Sequence, residues 1–153
     1  MANMEFGASD WVTVGLTEAI LSRQGPPLFV AAQLGCIAAA KVMAEAGSNL
    51  EVCGPGGRRP LHAAAAAGHV GILGILVTSG CEIDSQDDDS NTVLITAVLA
   101  GQTGSVELLL AVGADLEIAR ADGLTAIHVA QLPGTPKAIQ ELIDMGQENK
   151  SLM

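Results

Sequence analysis

The chain has 153 residues, 49% hydrophobic and only 16% charged, which is far too apolar for a disordered tail and long enough to bury a core without a disulfide or a metal. Seventeen acids against seven bases give a net charge of −10, and the only basic pair is Arg58-Arg59, so nucleic-acid backbones and anionic membrane surfaces are disfavoured partners. Two Phe, one Trp and no Tyr leave the core to Ala, Leu, Ile and Val, a set that suits short helices stacked closely on each other.

In chain order, the first residues from Met1 to Trp11 carry acids and no Lys or Arg, the wrong composition for a secretory or transit leader. Residues 1–25 read as an N-terminal extension or cap, with a short helix expected over Thr17 to Gln24, anchored by Phe6 and Trp11. The longest apolar stretch, Pro26 to Ala40, contains Gln33 and ends at Lys41. It falls short of the roughly 18 apolar residues that a spanning helix needs, so no direct membrane insertion is expected. The three cysteines, Cys36, Cys53 and Cys81, form no CxxC pair. Reduced thiols in an intracellular setting, cytoplasmic by default, are the simplest reading.

From Pro26 the sequence repeats itself. Gly35, Gly68, Gly101 and Gly134 recur every 33 residues, as do Gly47, Gly80, Gly113 and Gly146. Ala31, Ala64, Ala97 and Ala130 keep the same register, and so do Leu28, Leu61, Leu94 and Ile127. Four columns in register without an insertion define units of about 26–53, 54–86, 87–119 and 120–146. Within a unit, Pro27 or Pro60 opens a short Ala-rich helix that Gly35 or Gly68 stops. A second helix follows, through Ile72, Leu73, Ile75 and Leu76 or through Val106 and Leu108 to Leu110, and ends at Gly80 or Gly113. Short extended segments such as Cys81-Glu82-Ile83-Asp84 lead to turns such as Gly54-Pro55-Gly56-Gly57 and Ala121-Asp122-Gly123. Gly71 and Gly74 inside the second unit's outer helix soften it or permit close packing, and the sequence leaves both open. The tail Gln147 to Met153 is polar and is expected to fray.

Pro60-Leu61-His62-Ala63-Ala64, Gly68-His69, Gly113-Ala114-Asp115-Leu116 and Thr125-Ala126-Ile127-His128-Val129-Ala130 together resemble ankyrin repeats over about Pro26 to Gly146. The resemblance implies an all-α solenoid of helix–turn–helix units with a β-turn finger between neighbours. Departures are visible: the first unit lacks a finger and carries Phe29 in the histidine position. The third reads Thr92-Val93-Leu94-Ile95 and loses both proline and histidine, the groups that would serve its bonding to the neighbouring finger.

His62, His69 and His128 read as structural groups, since no further ligands converge on them at metal spacing. Gly54-Pro55-Gly56-Gly57-Arg58-Arg59 lacks the Gly-Lys-Ser/Thr ending of a phosphate loop, and no serine sits in a nucleophile elbow. No catalytic residue, cofactor or metal is therefore expected. Glu82, Asp84, Asp87, Asp88 and Asp89 form an acidic finger beside Arg58 and Arg59, which reads equally as a solvated tip or as a seat for a partner's basic patch. The family's usual contact positions fall on Gln33 and Leu34, Ala66 and Ala67, Leu99 and Ala100, then Leu132 and Pro133, of which only Gln33 is polar. Such an apolar ridge marks an interface, unless the fingers bury it. Arg58, Arg59, Asn91 and Leu124 are further candidate contacts. The expected function is a non-catalytic module that binds a helix or extended segment of a partner protein through its concave ridge and fingers, as a stable subunit of a larger assembly. A small ankyrin-type inhibitor of an enzyme such as a protein kinase is the alternative, and an enzyme or small-molecule binder the third.

Overall fold

In the computed structural model residues 25–151 are described, with side chains through Glu148; the helix expected over Thr17 to Gln24, with Phe6 and Trp11, lies outside the described residues. Eight helices follow in pairs: α1 Pro27–Leu34 and α2 Ile37–Glu45, α3 Pro60–Ala67 and α4 Val70–Thr78, α5 Val93–Ala100 and α6 Thr103–Ala111, α7 Ala126–Val129 and α8 Lys137–Ser151. The first helices α1, α3, α5 and α7 stack side by side in one layer, and α2, α4, α6 and α8 stack in a second. This is the all-α repeat architecture that the columns anticipate.

Helix ends follow the glycine columns. Gly35, Gly68 and Gly101 are left-handed, with φ of 82°, 77° and 72°. The next amide in each case reaches back to the alanine column: Cys36 to Ala31 at 2.9 Å, His69 to Ala64 at 2.9 Å and Gln102 to Ala97 at 3.1 Å. The second helices end alike, with Ser48 bonding to Met43, Cys81 to Leu76 and Ala114 to Leu109. Each bond satisfies a carbonyl that the helix end would otherwise leave open.

Ala31, Ala64 and Ala97 are fully buried between neighbouring first helices, as are Ala40, Leu73, Val106 and Ile139 in the second layer. A methyl side chain in the first set lets adjacent helices approach closely, and larger aliphatics fill the space behind them.

The last unit differs from its expected form. Leu132 and Pro133 lie in a turn, because α7 is only four residues long. A proline disfavours helical backbone in the residue before it and brings no N–H of its own. The Val129 carbonyl is taken up instead by the amide of Leu132 at 3.1 Å and the hydroxyl of Thr135 at 3.4 Å. Gly146 does not stop α8, which runs on to Ser151. After Gly80 and Gly113 the chain leaves the helix to bury Cys81, or Ala114 and Leu116. After Gly146 come Gln147 and Glu148, which stay exposed and gain nothing by leaving the helix.

Two glycines separate permissive space from crowding. A Cβ at Gly74 would meet nothing within 4 Å, whereas one at Gly54 would lie 2.7 Å from the buried ring of Phe29. Gly74→Ala is therefore expected to raise stability by up to about 1 kcal/mol, through helix propensity alone. Gly54→Ala should lower it by about 1–3 kcal/mol, through overpacking. Urea unfolding of the two variants checks the opposite signs.

Candidate functional site

The connections between units form fingers with one repeated geometry. The amide of Gly54 donates to the Arg58 carbonyl at 2.7 Å, that of Asp87 to Asn91 at 3.0 Å and that of Arg120 to Leu124 at 2.9 Å. The next positions close tightly as well: Gly57, Ser90 and Gly123 all have positive φ, at 70°, 64° and 87°. Neighbouring fingers are joined through their backbones, Asp88 N–H to the Gly56 carbonyl at 2.9 Å and Ala121 N–H to the Asp89 carbonyl at 3.2 Å. Arg58, Asn91 and Leu124 thus occupy equivalent half-buried places at the return of each finger.

His62 fastens this arrangement. Its Nδ1 accepts from the Arg59 amide at 3.2 Å and its Nε2 donates to the Asn91 carbonyl at 3.0 Å, so the ring is neutral and fully buried. The third unit has Ile95 in that column; there Thr92 Oγ1 accepts the Ile95 amide at 3.1 Å, and Gln86 Nε2 reaches the Ala119 carbonyl of the next finger at 3.2 Å. In the first unit Phe29 takes the same place by packing beneath Gly54. His128 bonds its own helix start, with Nδ1 accepting from the Thr125 amide at 3.1 Å.

The charged residues divide by task. Arg59 is not a free basic flank: its Nη1 lies 3.4 Å from both Glu51 and Glu82, one unit apart, and its side chain is only 27% exposed. Pairs this open stabilise by about 0–1 kcal/mol each. Glu51 and Asp84, in one column, also accept the amides of Glu82 at 3.0 Å and Asp115 at 2.9 Å. Asp87 closes its own turn by accepting the amides of Asp89 and Asn91. Asp88 and Asp89 remain as the exposed carboxylates of the third unit's finger. Arg120 pairs with Asp122 at 3.2 Å. The side-chain oxygen of Asn91 is buried without a hydrogen-bond partner among the described residues.

The apolar ridge is uncovered. Leu34, Leu99 and Leu132 are 48%, 50% and 42% exposed, so the fingers do not bury them. Ala67 and Ala100 are exposed as well, while Ala66 is half-buried and its carbonyl receives Gln102 Nε2 at 3.2 Å. Leu34, Ala67 and Ala100 end the adjacent helices α1, α3 and α5, which brings the ridge positions together, and Leu132 continues the row from the turn after α7.

A family model described as ankyrin repeats (3 copies) matches residues 12–87 and again residues 71–152. The chain belongs to the ankyrin-repeat family. No curated protein matches it significantly. Ankyrin repeats generally mediate protein–protein interaction and are typically non-catalytic, which frames what this ankyrin chain offers to solvent. Among the described residues no group of three or more His, Cys, Asp or Glu is placed to hold a metal ion, and no helix is long and apolar enough to cross a membrane. Cys36 and Cys81 are buried and outside any disulfide, and burial first, then the nearby Glu51 charge, pushes Cys81 up to about 12; Cys53 is exposed. The sequence reading names Arg58, Asn91 and Leu124 as contacts but not the ties made by Glu51, Asp84 and Gln86. The acids Glu51, Asp84 and Glu117 recurring in one column were the available signal.

Burial holds the pKa of His62 below its ordinary 6.5, outweighing the Asn91 bond and Asp87, which act the other way. Below pH 6.5 the unfolded chain takes up a proton there that the folded ankyrin stack resists. The contribution of His62 is thus complete above that pH and lost as the pH falls beneath it. The urea midpoint is expected to be level above pH 6.5 and to drop below it, and His62→Gln, although less stable, should lack that drop. An equally steep fall in the variant would assign the effect to other groups.

Proposed function

We propose that this ankyrin chain binds one partner protein along the ridge of Leu34, Ala67, Leu99, Ala100 and Leu132, with Asp88 and Asp89 on the neighbouring finger meeting a basic patch of that partner. The supporting observation is the exposure of three leucines, 48%, 50% and 42%, in two neighbouring columns near the ends of the first helices, where no ridge position carries a charged residue. Apolar area of this kind contributes to stability only when something covers it. Alanines between the leucines keep the surface shallow, so a helix or an extended segment of the partner can approach the backbone. Interfaces depleted of charge at their centre and rimmed by polar groups suit long-lived complexes, which favours a stable subunit of a larger assembly. Half-buried Arg58, Asn91 and Leu124 flank the ridge as secondary contacts, whereas Arg59 and Asp87 serve chiefly within the chain.

Leu99→Glu tests the reading. Leu99 is half exposed at the end of α5, so the substitution should leave the helical circular dichroism unchanged. Buried in a partner's contact, the same carboxylate is expected to cost about 2 kcal/mol or more, roughly a thirtyfold loss of capture in a quantitative pull-down followed by mass spectrometry. Capture of the same partner with undiminished yield would move the interface off the ridge.

A further inference from the structure

We propose that the outer groove between α6 and α8 is a second docking surface, whose occupant is a basic peptide segment with apolar side chains flanked by Lys or Arg. The groove has a volume of about 580 Å³. Its floor is formed by Leu110, Leu116 and Leu142, and Met145, 59% exposed, stands at its edge. Among the described residues the rim has a single sign: Asp84, Glu107 and Asp115 contribute carboxylates, and no Lys or Arg lines the groove. Backbone amides bond to two of these acids, Asp115 N–H to Asp84 and Glu117 N–H to Asp115, which orients the carboxylates.

Gly146 supplies an independent observation. It lies inside α8, where glycine is a poorer helix former than alanine. Its backbone is helical, and a Cβ there would meet Leu110 and Leu116 at an ordinary 3.5 Å. Neither backbone strain nor crowding demands a glycine at this place. What the missing side chain does is keep the groove floor open between α8 and those two leucines.

The charge of the rim selects the occupant. An apolar slot alone would accept any apolar segment, but a Lys or Arg lays its methylenes on the floor while its head reaches the carboxylates. An acidic segment would meet repulsion from the rim and from a chain of net charge −10. The groove shares no residue with the leucine ridge or with the tip carboxylates Asp88 and Asp89, so its failure would leave the ridge proposal untouched.

The test uses the full chain with labelled methyl groups, titrated with a short amphipathic Leu/Lys peptide and, separately, with its Leu/Glu counterpart. The Leu/Lys peptide is expected to shift the methyl resonances of Leu110, Leu142 and Met145, and the Leu/Glu peptide to leave them in place. Glu107→Lys should weaken the Leu/Lys affinity about tenfold or more. Glu141→Lys, the same charge change at an exposed position on α8 outside the groove, should not. Gly146→Leu, checked for intact helical circular dichroism, should close the groove and remove the shifts. Equal weakening by Glu107→Lys and Glu141→Lys would reduce the effect to net-charge attraction and overturn the proposal. Shifts confined to Leu34, Leu99 and Leu132, an equal response to the Leu/Glu peptide, or no response to either would overturn it as well.

Discussion

No helical pair in this chain can shield its own apolar face, and every other feature follows from that constraint. A first helix such as α3 buries Leu61, Ala64 and Ala65 only because α1 and α5 lie on either side of it. The alanine column sets how closely those helices approach, and the glycine caps bring each chain reversal to the same place. Stability in such a stack is a sum of local terms and neighbour terms. A substitution is therefore felt mainly by its own unit and the two beside it.

The fingers extend the same logic to polar groups. One unit supplies a carbonyl or a carboxylate and the next supplies an amide, as in Gly56 with Asp88 and Glu51 with Glu82. His62, Phe29 and the Thr92–Gln86 combination are three chemical solutions to one need, the attachment of a finger to the hairpin before it. Where the histidine is lost the backbone ladder is kept, because Ala121 still bonds to Asp89. Arg59, with an acid from each of two units in reach, spans one such junction.

The residues proposed for the ridge site are excused from these duties. Leu34, Leu99 and Leu132 lie at the free ends of the first layer, and Asp88 and Asp89 project from a finger whose other acids are occupied. The second layer has its own unclaimed surface where α8 diverges from the usual unit. On the two proposals made above, an apolar ridge and an acid-rimmed groove would let a short stack engage two segments at once, a geometry suited to holding components of an assembly together.

Sequence alone determined the repeat, and with it the helix pairs and their stops at Gly35, Gly68 and Gly101. Those features rest on residue type and spacing within one period, and backbone sterics make a left-handed glycine or a leading proline readable without neighbours. Tertiary structure decided the rest. Glu82 and Asp87 carry the same charge as Asp88 and Asp89, yet they pair with Arg59 or close a turn because of atoms that only the folded finger brings near. Gly146 shares a column with Gly80 and Gly113 but stays helical, since a helix end is drawn out by buried residues beyond it and none lies among the described residues there. The ending of α7 before Leu132, and the groove that α8 leaves beside α6, depend likewise on how this last pair meets its neighbour. A period of 33 residues fixes which positions are equivalent; contacts across the stack fix what each equivalent position does.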